Sequence, residues 1–147
     1  TSISDLLFFG CAALRSITLY DKVKSIGDRA FYQCGELTNL ILPSSVSSID
    51  RWAFVGCGKL EVLTIRGDVP SFSYQVFSDS YISSNALKRV YVKEGCVQKA
   101  AEQFEKAGVD TESIMISEIC QDGECNETID GVTWSFSVVN NSVYKKC

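Results

Sequence analysis

Residues 26–46 read IGDRAFYQCGELTNLILPSSV, and this stretch belongs to the second of three 23-residue units that follow one another directly. The units begin at Ile3, Ile26 and Ile49, and seven positions in each unit carry matching residues. A unit of this length cannot bury its own apolar face, so it must stack on a neighbouring copy. A fixed period with the large apolar residues in register therefore predicts a solenoid. The other matching columns are Phe8, Phe31 and Phe54; Cys11, Cys34 and Cys57; Leu14, Leu37 and Leu60; Ile17, Leu40 and Leu63; Leu19, Leu42 and Ile65; and Val23, Val46 and Val69.

Each unit is predicted to contain a strand, an extended corner and a short helix. Residues 39–43 alternate in polarity, which is typical of a strand, and Pro43 ends the strand because proline cannot donate to a sheet. Residues 47–49 form the extended corner. Asp50 is placed to cap a brief helix over residues 51–54, and Asp28 and Asp5 are placed to do so in the two preceding units. Stacking of the coils then aligns residues 17–19, 40–42, 63–65 and 90–92 in one parallel sheet.

The chain departs from the repeat in its fourth coil. Residues 78–85 are a polar insertion, which is predicted to bulge outward; such loops are often part of a binding surface, and divergence of a terminal repeat explains the insertion at least as well. Residues 97–107 place their apolar side chains on one side, which predicts a helix that ends at Gly108. Residues 114–116 supply a last short strand. Together these elements are predicted to cap the C-terminal end of the solenoid.

Composition argues against several functional classes. The chain has 147 residues, a net charge of −4 and no histidine. Because histidine is the commonest general base, we expect no enzymatic activity, no metal site and no cofactor. The basic residues are scattered, which argues against nucleic-acid binding, and no apolar run reaches the roughly 18 residues of a membrane span. The first residues resemble neither an initiator methionine nor a signal peptide, which indicates a mature fragment or a piece of a longer chain.

The seven cysteines fall into two groups. The three that repeat with the solenoid period, Cys11, Cys34 and Cys57, are predicted to form a buried structural column, with a disulfide or a metal as the less favoured alternatives. A second group lies in the polar tail, and its odd number leaves one cysteine to pair with Cys96 or with another chain. The disulfide candidates are Cys120, Cys125, Cys147 and Cys96. Two glycosylation sequons begin at Asn126 and Asn140, and such a tail is typical of secreted or cell-surface material.

The tail itself predicts a small β-hairpin. Residues 128–136 alternate, with Val132, Trp134 and Phe136 on one face, and residues 140–141 supply a turn before a second strand. Residues 122–127 are acidic, but they fail the calcium-loop pattern because Glu127 stands where the turn glycine is required. A solvated acidic linker with a local disulfide is the preferred interpretation.

The repeats resemble the BspA-type leucine-rich repeat, whose unit reads approximately I-G-x-x-A-F-x-x-C-x-x-L-x-x-I-x-I-P-x-x-V. The likeness covers residues 3–116, and it implies an α/β leucine-rich-repeat solenoid of about four coils with a parallel sheet, a C-terminal capping helix and a small hairpin tail. It also implies a protein of bacterial or protist surfaces that serves adhesion or protein contact, without catalytic residues. The tail is similar to the hairpin that opens such domains, although it comes last here. We therefore divide the chain into a solenoid with its cap, 1–116, and a linker with a hairpin, 117–147.

Two functions follow as hypotheses. In the first, the outward side of the sheet binds a protein or a host or matrix surface, because tyrosine and arginine are enriched where interfaces carry most of their energy. The candidate binding residues are Tyr20, Ile41, Arg66, Arg89, Tyr91 and Lys93. In the second, the hairpin of one chain covers the first coil of the next, and the chains assemble head to tail into a filament or sheet. Both place the protein outside the cell or on its surface.

Overall fold

The computed structural model describes residues 1–78 and 86–119 in full and, for the tail, the backbone of three strands. Most of the predicted insertion at 78–85 therefore lies outside the described residues. The elements in chain order are β1 (Ser2–Ile3), β2 (Ser25–Ile26), β3 (Asn39–Leu42), β4 (Ser48–Ile49), β5 (Val62–Ile65), β6 (Ser71–Phe72), β7 (Arg89–Val92), α1 (Val97–Lys106), a short 3-10 helix (Thr111–Ser113), β8 (Met115–Glu118), β9 (Glu124–Ile129), β10 (Val132–Val139) and β11 (Ser142–Lys146).

One side of the solenoid is a parallel sheet in the order β3-β5-β7-β8. Leu40 pairs with Leu63, and Leu63 pairs with Val90, which confirms the predicted stacking of coil upon coil. The expected strand over residues 17–19 is not formed. Among the described residues the first coil packs against one other coil, and a single main-chain hydrogen bond of 3.4 Å, from Thr38 N to Arg15 O, joins the two on this side.

β8 extends this sheet beyond the fourth coil. It begins one residue later than the predicted strand at 114–116 and ends two residues later, so the sheet continues past residue 116, where we divided the chain. The amide N–H of Ile119 also donates to the carbonyl of Val92 at 2.6 Å. The last strand therefore occupies the place that the sheet strand of a fifth coil would take.

A second parallel sheet runs along another side of the solenoid in the order β1-β2-β4-β6. Its strands are two residues long, and β4 corresponds to the extended corner predicted at 47–49. In each strand the second residue points inward, so that Ile26, Ile49 and Phe72 are fully buried. The repeat positions that begin each unit therefore form one column of the core.

The third side, which we call the turn side, comprises residues 4–10, 27–33, 50–56 and 73–77. The helix predicted over residues 51–54 is wrong: the chain makes consecutive turns instead, with a left-handed residue at one place in every coil. These residues are Leu6, Arg29, Trp52 and Gln75, with φ between 52° and 60°. The N–H of Phe31 donates to the carbonyl of Ala53 in the next coil at 2.9 Å. Donors that bond to a neighbouring coil cannot form the i→i−4 bonds of a helix.

The predicted capping aspartates bond between coils rather than within one. The carboxylate of Asp5 accepts a hydrogen bond from the backbone N–H of Asp28 at 3.0 Å. Asp50 accepts from the hydroxyl of Ser73 at 3.4 Å, again one coil further along the chain. Aspartate at these positions therefore stabilises the stack of coils and not the start of a helix.

A ladder of phenylalanine rings forms the centre of the core. Phe8, Phe31, Phe54 and Phe77 stack one upon the next, with ring centroids 5.0, 5.4 and 5.5 Å apart. Phe104 of α1 lies 5.5 Å from Phe77 and closes the ladder at its C-terminal end. This confirms the predicted capping helix, which is followed by Gly108 at a φ of +81°.

The capping helix also covers the last strand of the second sheet. The side-chain oxygen of Gln103 accepts a hydrogen bond from the backbone N–H of Phe72 at 3.0 Å. Without this contact the N–H of β6 would lie unpaired at the free edge of the sheet. α1 therefore satisfies the backbone of the fourth coil and covers its apolar core.

The cysteine column is buried from the second coil onward. The thiol of Cys34 donates to the carbonyl of Phe8 at 3.2 Å, and the thiol of Cys57 donates to that of Phe31 at 3.1 Å. Burial raises the pKa of Cys34 to about 11 and that of Cys57 to about 12. The prediction that Cys11 is buried is wrong: its thiol is exposed, because none of the described residues packs as a coil on the outer side of the first one.

The disulfide and glycosylation predictions concern residues that the structure describes only in part. Cys96 is half-buried and is a free thiol among the described residues, and its predicted pairing with a tail cysteine or another chain stays a prediction. The three tail cysteines and the two sequon asparagines lie outside the residues whose side chains are described, and their roles stay predictions.

The tail forms three antiparallel strands in the order β11-β10-β9. Ile129 pairs with Val132, and Val139 pairs with Ser142. The turn predicted at residues 140–141 lies outside the described residues. The tail is therefore a two-hairpin meander, one strand larger than the hairpin that we predicted.

The phenylalanine ladder predicts that one substitution has very different costs in different coils. Phe54→Ala removes a ring packed between two others and should lower the free energy of unfolding by about 3–5 kcal/mol. Phe8→Ala changes the same repeat position in the half-covered first coil and should cost clearly less. Chemical denaturation of both variants gives the comparison, and equal losses would contradict the stacking described above.

The thiol environments predict an order of alkylation. At about pH 8, iodoacetamide should modify the exposed Cys11 quickly and leave Cys34 and Cys57 unmodified, because only a thiolate reacts and burial keeps both thiols protonated. Peptide mass spectrometry identifies the labelled sites. Guanidinium chloride should make all three react at similar rates, which serves as the control. Rapid labelling of Cys57 in the folded chain would show that the column is open.

Candidate interaction surface

We call the outward side of the β3-β5-β7-β8 sheet, together with residues 16–20 of the first coil, the sheet face. Side chains alternate along its strands, so that Leu40 and Leu42 are buried while Asn39 and Ile41 are exposed. Tyr20 is 75% exposed and Ile41 is 37% exposed, as their predicted role in binding requires. The inward residues belong to the core, which fixes the strand backbones that carry the outward ones.

Charge divides the sheet face into two halves. In the first two coils the outward residues are uncharged, and Tyr20 and Ile41 are the largest that are exposed. In the third and fourth coils the face carries basic side chains. These are Arg66, Arg89 and Lys93, of which Arg66 and Lys93 are exposed and Arg89 is half-buried.

The structure corrects the prediction for Tyr91. Its side chain is 9% exposed, although its place in the strand is an outward one. Tyr91 pairs with Thr64 of β5 on one side and with Ser117 of β8 on the other. Because β8 adds a strand beside it, the ring has neighbours on both sides, and Tyr91 is part of the wall of the face rather than an exposed contact.

Ion pairs between neighbouring coils lie along the margins of the sheet face. The ammonium of Lys88 lies 2.5 Å from a carboxylate oxygen of Glu61, and the ammonium of Lys93 lies 3.4 Å from one of Asp68. Lys93 is therefore partly neutralised at the position where we predicted a binding residue. The side chain of Arg89 has no hydrogen bond or ion pair with any of the described residues. Among the cations of the sheet face, the guanidinium of Arg89 is therefore the one that would gain most from an anionic partner.

A third pair of this kind joins the second and third coils. The ammonium of Lys59 lies 2.6 Å from the carboxylate of Glu36. The hydrogen bond from Lys59, together with its charge, holds the pKa of Glu36 below its ordinary value. Exposed pairs of this kind contribute little to stability, but they set which cations on the surface are already satisfied.

A depression opens where the strands of the basic half begin. It has a volume of about 380 Å³ and is lined by Glu61, Val62, Lys88, Arg89 and Met115. Val62 and Met115 provide an apolar surface, while the three charged residues sum to one positive charge. A cleft of about 410 Å³ lies elsewhere, between α1 and the serine-rich turns at residues 44–47 and 68–71.

The turn side carries a cluster that our sequence analysis missed. The guanidinium carbons of Arg29 and Arg51 each lie 4.0 Å from the ring centroid of Trp52. Asp28 forms an ion pair with Arg29 and lies 4.0 Å from Arg51, and the indole N–H of Trp52 donates to Gln75 at 3.2 Å. The period of 23 gave the signal, since it places Arg29, Trp52 and Gln75 in one column.

This cluster joins three successive coils through contacts that the repeat motif does not contain. Each cation–π contact contributes about 0.5–1 kcal/mol at a solvated site. Asp28 Oδ1 is buried without a hydrogen-bond partner, so the cluster is not fully satisfied. Its contacts join neighbouring coils and stabilise the stack, and we keep the sheet face as the candidate for binding.

The residues that the structure describes do not assemble a catalytic or metal site. Among them there is no group of three or more cysteine, aspartate or glutamate side chains arranged to hold a metal ion. None of the helices in the described part of the chain has the length and apolar character of a membrane-spanning segment. The chemistry available at the sheet face is thus that of contact: apolar surface, guanidinium groups and a shallow depression.

Comparisons with known proteins agree with this architecture. The chain is similar to the crystal structure of a leucine-rich repeat protein from Bacteroides ovatus, with a TM-score of 0.59 and 24% sequence identity. The match covers 81% of the present chain. The chain covers 28% of that protein, and the likeness concerns the fold alone. No curated protein matches the chain. A family model described as BspA type leucine rich repeat region matches residues 1–118 in six copies. The chain therefore belongs to the BspA-type leucine-rich repeat family.

Proposed function

We propose that the chain is an extracellular or cell-surface module that binds a protein, or a host or matrix surface, through its sheet face. The observation that carries this proposal is the exposure of Tyr20 and Ile41 on the same sheet face as Arg66 and Arg89. Tyrosine and arginine supply much of the energy of protein interfaces, whereas the described residues offer no catalytic constellation.

The rigidity of the sheet favours binding because little conformational entropy is lost when a partner docks. β5 and β7 are paired on both sides, and buried residues such as Leu40 and Leu63 hold the strands to the core. A preorganised surface avoids the cost of ordering that a flexible loop would incur. The sheet face therefore offers side chains at fixed spacings, which is what specific recognition requires.

Family membership supports the wider setting of this proposal. BspA-type leucine-rich repeat proteins are commonly surface-associated, and the family and fold are typically non-enzymatic. The sequons at Asn126 and Asn140, together with the tail cysteines, are consistent with an oxidising compartment. Secretion, glycosylation and adhesion belong to the proposal.

An adhesion assay tests the proposed role of the sheet face. Fluorescent beads coated with the full chain should be retained on cultured epithelial cells or on immobilised fibronectin. The double variant Tyr20→Ser/Ile41→Thr should reduce retention about tenfold, because it removes the apolar contacts of the uncharged half. Bead counts after washing give the measurement.

The control for this assay is a tyrosine on another side of the solenoid. Tyr74 on the turn side is 64% exposed, so Tyr74→Ser removes a similar area without touching the sheet face. We expect this variant to adhere like the unchanged chain. If the two variants lost adhesion equally, or if neither did, the sheet face would not be the binding surface.

Head-to-tail assembly is a second candidate function. The first coil exposes large apolar side chains, with Leu6 at 52%, Leu7 at 54% and Phe9 at 48%. An exposed apolar coil with open strand edges readily accepts another chain. In this proposal the C-terminal strands of a second copy cover the coil, and the contact repeats without closing.

Sedimentation velocity distinguishes this candidate from a monomeric module. Assembly predicts species that grow as the concentration of the full chain rises, and Leu7→Lys should abolish them because it places a charge on the apolar coil. Tyr74→Lys adds the same charge on the turn side of the fourth coil and should leave the growth unchanged. A chain that sediments as a monomer at every concentration would exclude the filament.

A further inference from the structure

The basic half of the sheet face has a feature that the general binding role does not explain. Arg89 is half-buried and lines the 380 Å³ depression, and its side chain makes no hydrogen bond or ion pair with the described residues. A guanidinium in such a place favours a carboxylate as its partner, since its planar donor groups match two carboxylate oxygens. Its surroundings therefore define the chemistry of what would bind there.

The depression combines this cation with an apolar floor. Val62 and Met115 provide this floor, and the ammonium of Lys88 forms an ion pair with the carboxylate of Glu61 at 2.5 Å. A side chain that enters must present methylene groups to the floor and a negative charge to Arg89. Glutamate has both, whereas aspartate is one methylene shorter and covers less of the apolar surface.

The register of the sheet fixes how far this site lies from the apolar half of the face. Ile41 lies on β3 and Arg89 on β7, and β5 separates the two strands. Strands are spaced about 4.8 Å apart, and Arg89 is in register with Asn39, two residues before Ile41, so the two side chains begin about 12 Å from each other. An extended peptide advances about 3.3 Å per residue, so about three to four residues span this distance when the peptide crosses the strands diagonally.

We propose that the sheet face binds an acidic segment of a partner protein in which an apolar residue precedes a glutamate by three positions. The apolar residue lies on Ile41, and the glutamate enters the depression, where its carboxylate meets Arg89. This inference names the partner class for the sheet face and rests on the proposed function.

Fluorescence anisotropy with the full chain and designed peptides tests the inference. The probe is a fluorescein-labelled decapeptide with one leucine, two glycines, and then three glutamates in a glycine and serine background. Matched peptides carry glutamine, or aspartate, in place of the glutamates. We expect the glutamate peptide to bind best, the aspartate peptide about threefold more weakly, and the glutamine peptide at least tenfold more weakly.

Variants locate the site. Arg89→Gln should weaken binding of the glutamate peptide about five- to tenfold, because it removes a charge-assisted contact and keeps most of the side-chain volume. Lys24→Gln serves as the control, since this exposed lysine lies beside the other sheet. Raising the salt from about 0.05 to about 0.5 M should weaken the glutamate peptide and leave the glutamine peptide unchanged. The inference is overturned if glutamine and glutamate peptides bind equally, or if Arg89→Gln and Lys24→Gln have the same effect.

Two further outcomes separate this inference from the proposed function. If adhesion depends on Tyr20 and Ile41 while the acidic peptides do not bind, the sheet face is a binding surface and the acidic partner is wrong. If heparin competes fully for the chain and removes the difference between the glutamate and aspartate peptides, the basic half responds to charge density alone. That result would also overturn the inference.

Discussion

Backbone hydrogen bonds between successive coils are the constraint on which the rest of this structure depends. The N–H of Gly27 donates back to the carbonyl of Ile3 at 2.9 Å, whereas the N–H of Phe31 donates forward to that of Ala53 at 2.9 Å. An inner coil therefore gives and accepts bonds on both of its faces, and neighbouring coils must keep the same length to stay in register. That requirement accounts for the period of 23 and for the left-handed residues at Arg29 and Trp52, which turn donors toward the neighbouring coil.

The same constraint makes the two ends of the solenoid unlike its middle. At the C-terminal end, Phe104 covers the ring of Phe77, and Gln103 accepts the free N–H of Phe72. The first coil lacks such a cover among the described residues, so its column members are partly exposed even though their sequence matches that of the inner coils. Burial in a solenoid thus follows the position of a coil as much as the identity of its residues.

This dependence explains how far sequence could predict the fold. The core columns, the register of Leu40 with Leu63, and the capping helix follow from periodicity, because each depends on patterns within one unit or one helix. Residues 51–54 were assigned to a helix because a window of four residues does not show whether its N–H groups bond within the coil or to the next one. Cys11 was wrongly predicted to be buried because its sequence matches that of the inner coils, whereas the first coil is only partly covered by the described residues.

The site was less predictable than the fold for a related reason. Tyr20, Ile41 and Arg66 were identified because outward positions alternate with buried ones, and alternation can be read from sequence. The burial of Tyr91 depends on β8, which follows the capping helix in the chain and pairs with β7. The depression beside Arg89 likewise needs Met115, a residue 26 positions further along the chain. Contacts of this kind appear only once the sheet register is known.

The stacking constraint also decides where recognition can evolve in such a chain. Inward positions are held by the core and corner positions by the bonds between coils, so only the outward side chains vary without cost to the fold. Here they vary in order, from uncharged residues in the first two coils to basic residues in the third and fourth. A surface with this polarity distinguishes the two directions in which an extended segment could cross it. A partner with one apolar and one acidic end would therefore bind in a single orientation, which a uniform sheet could not impose.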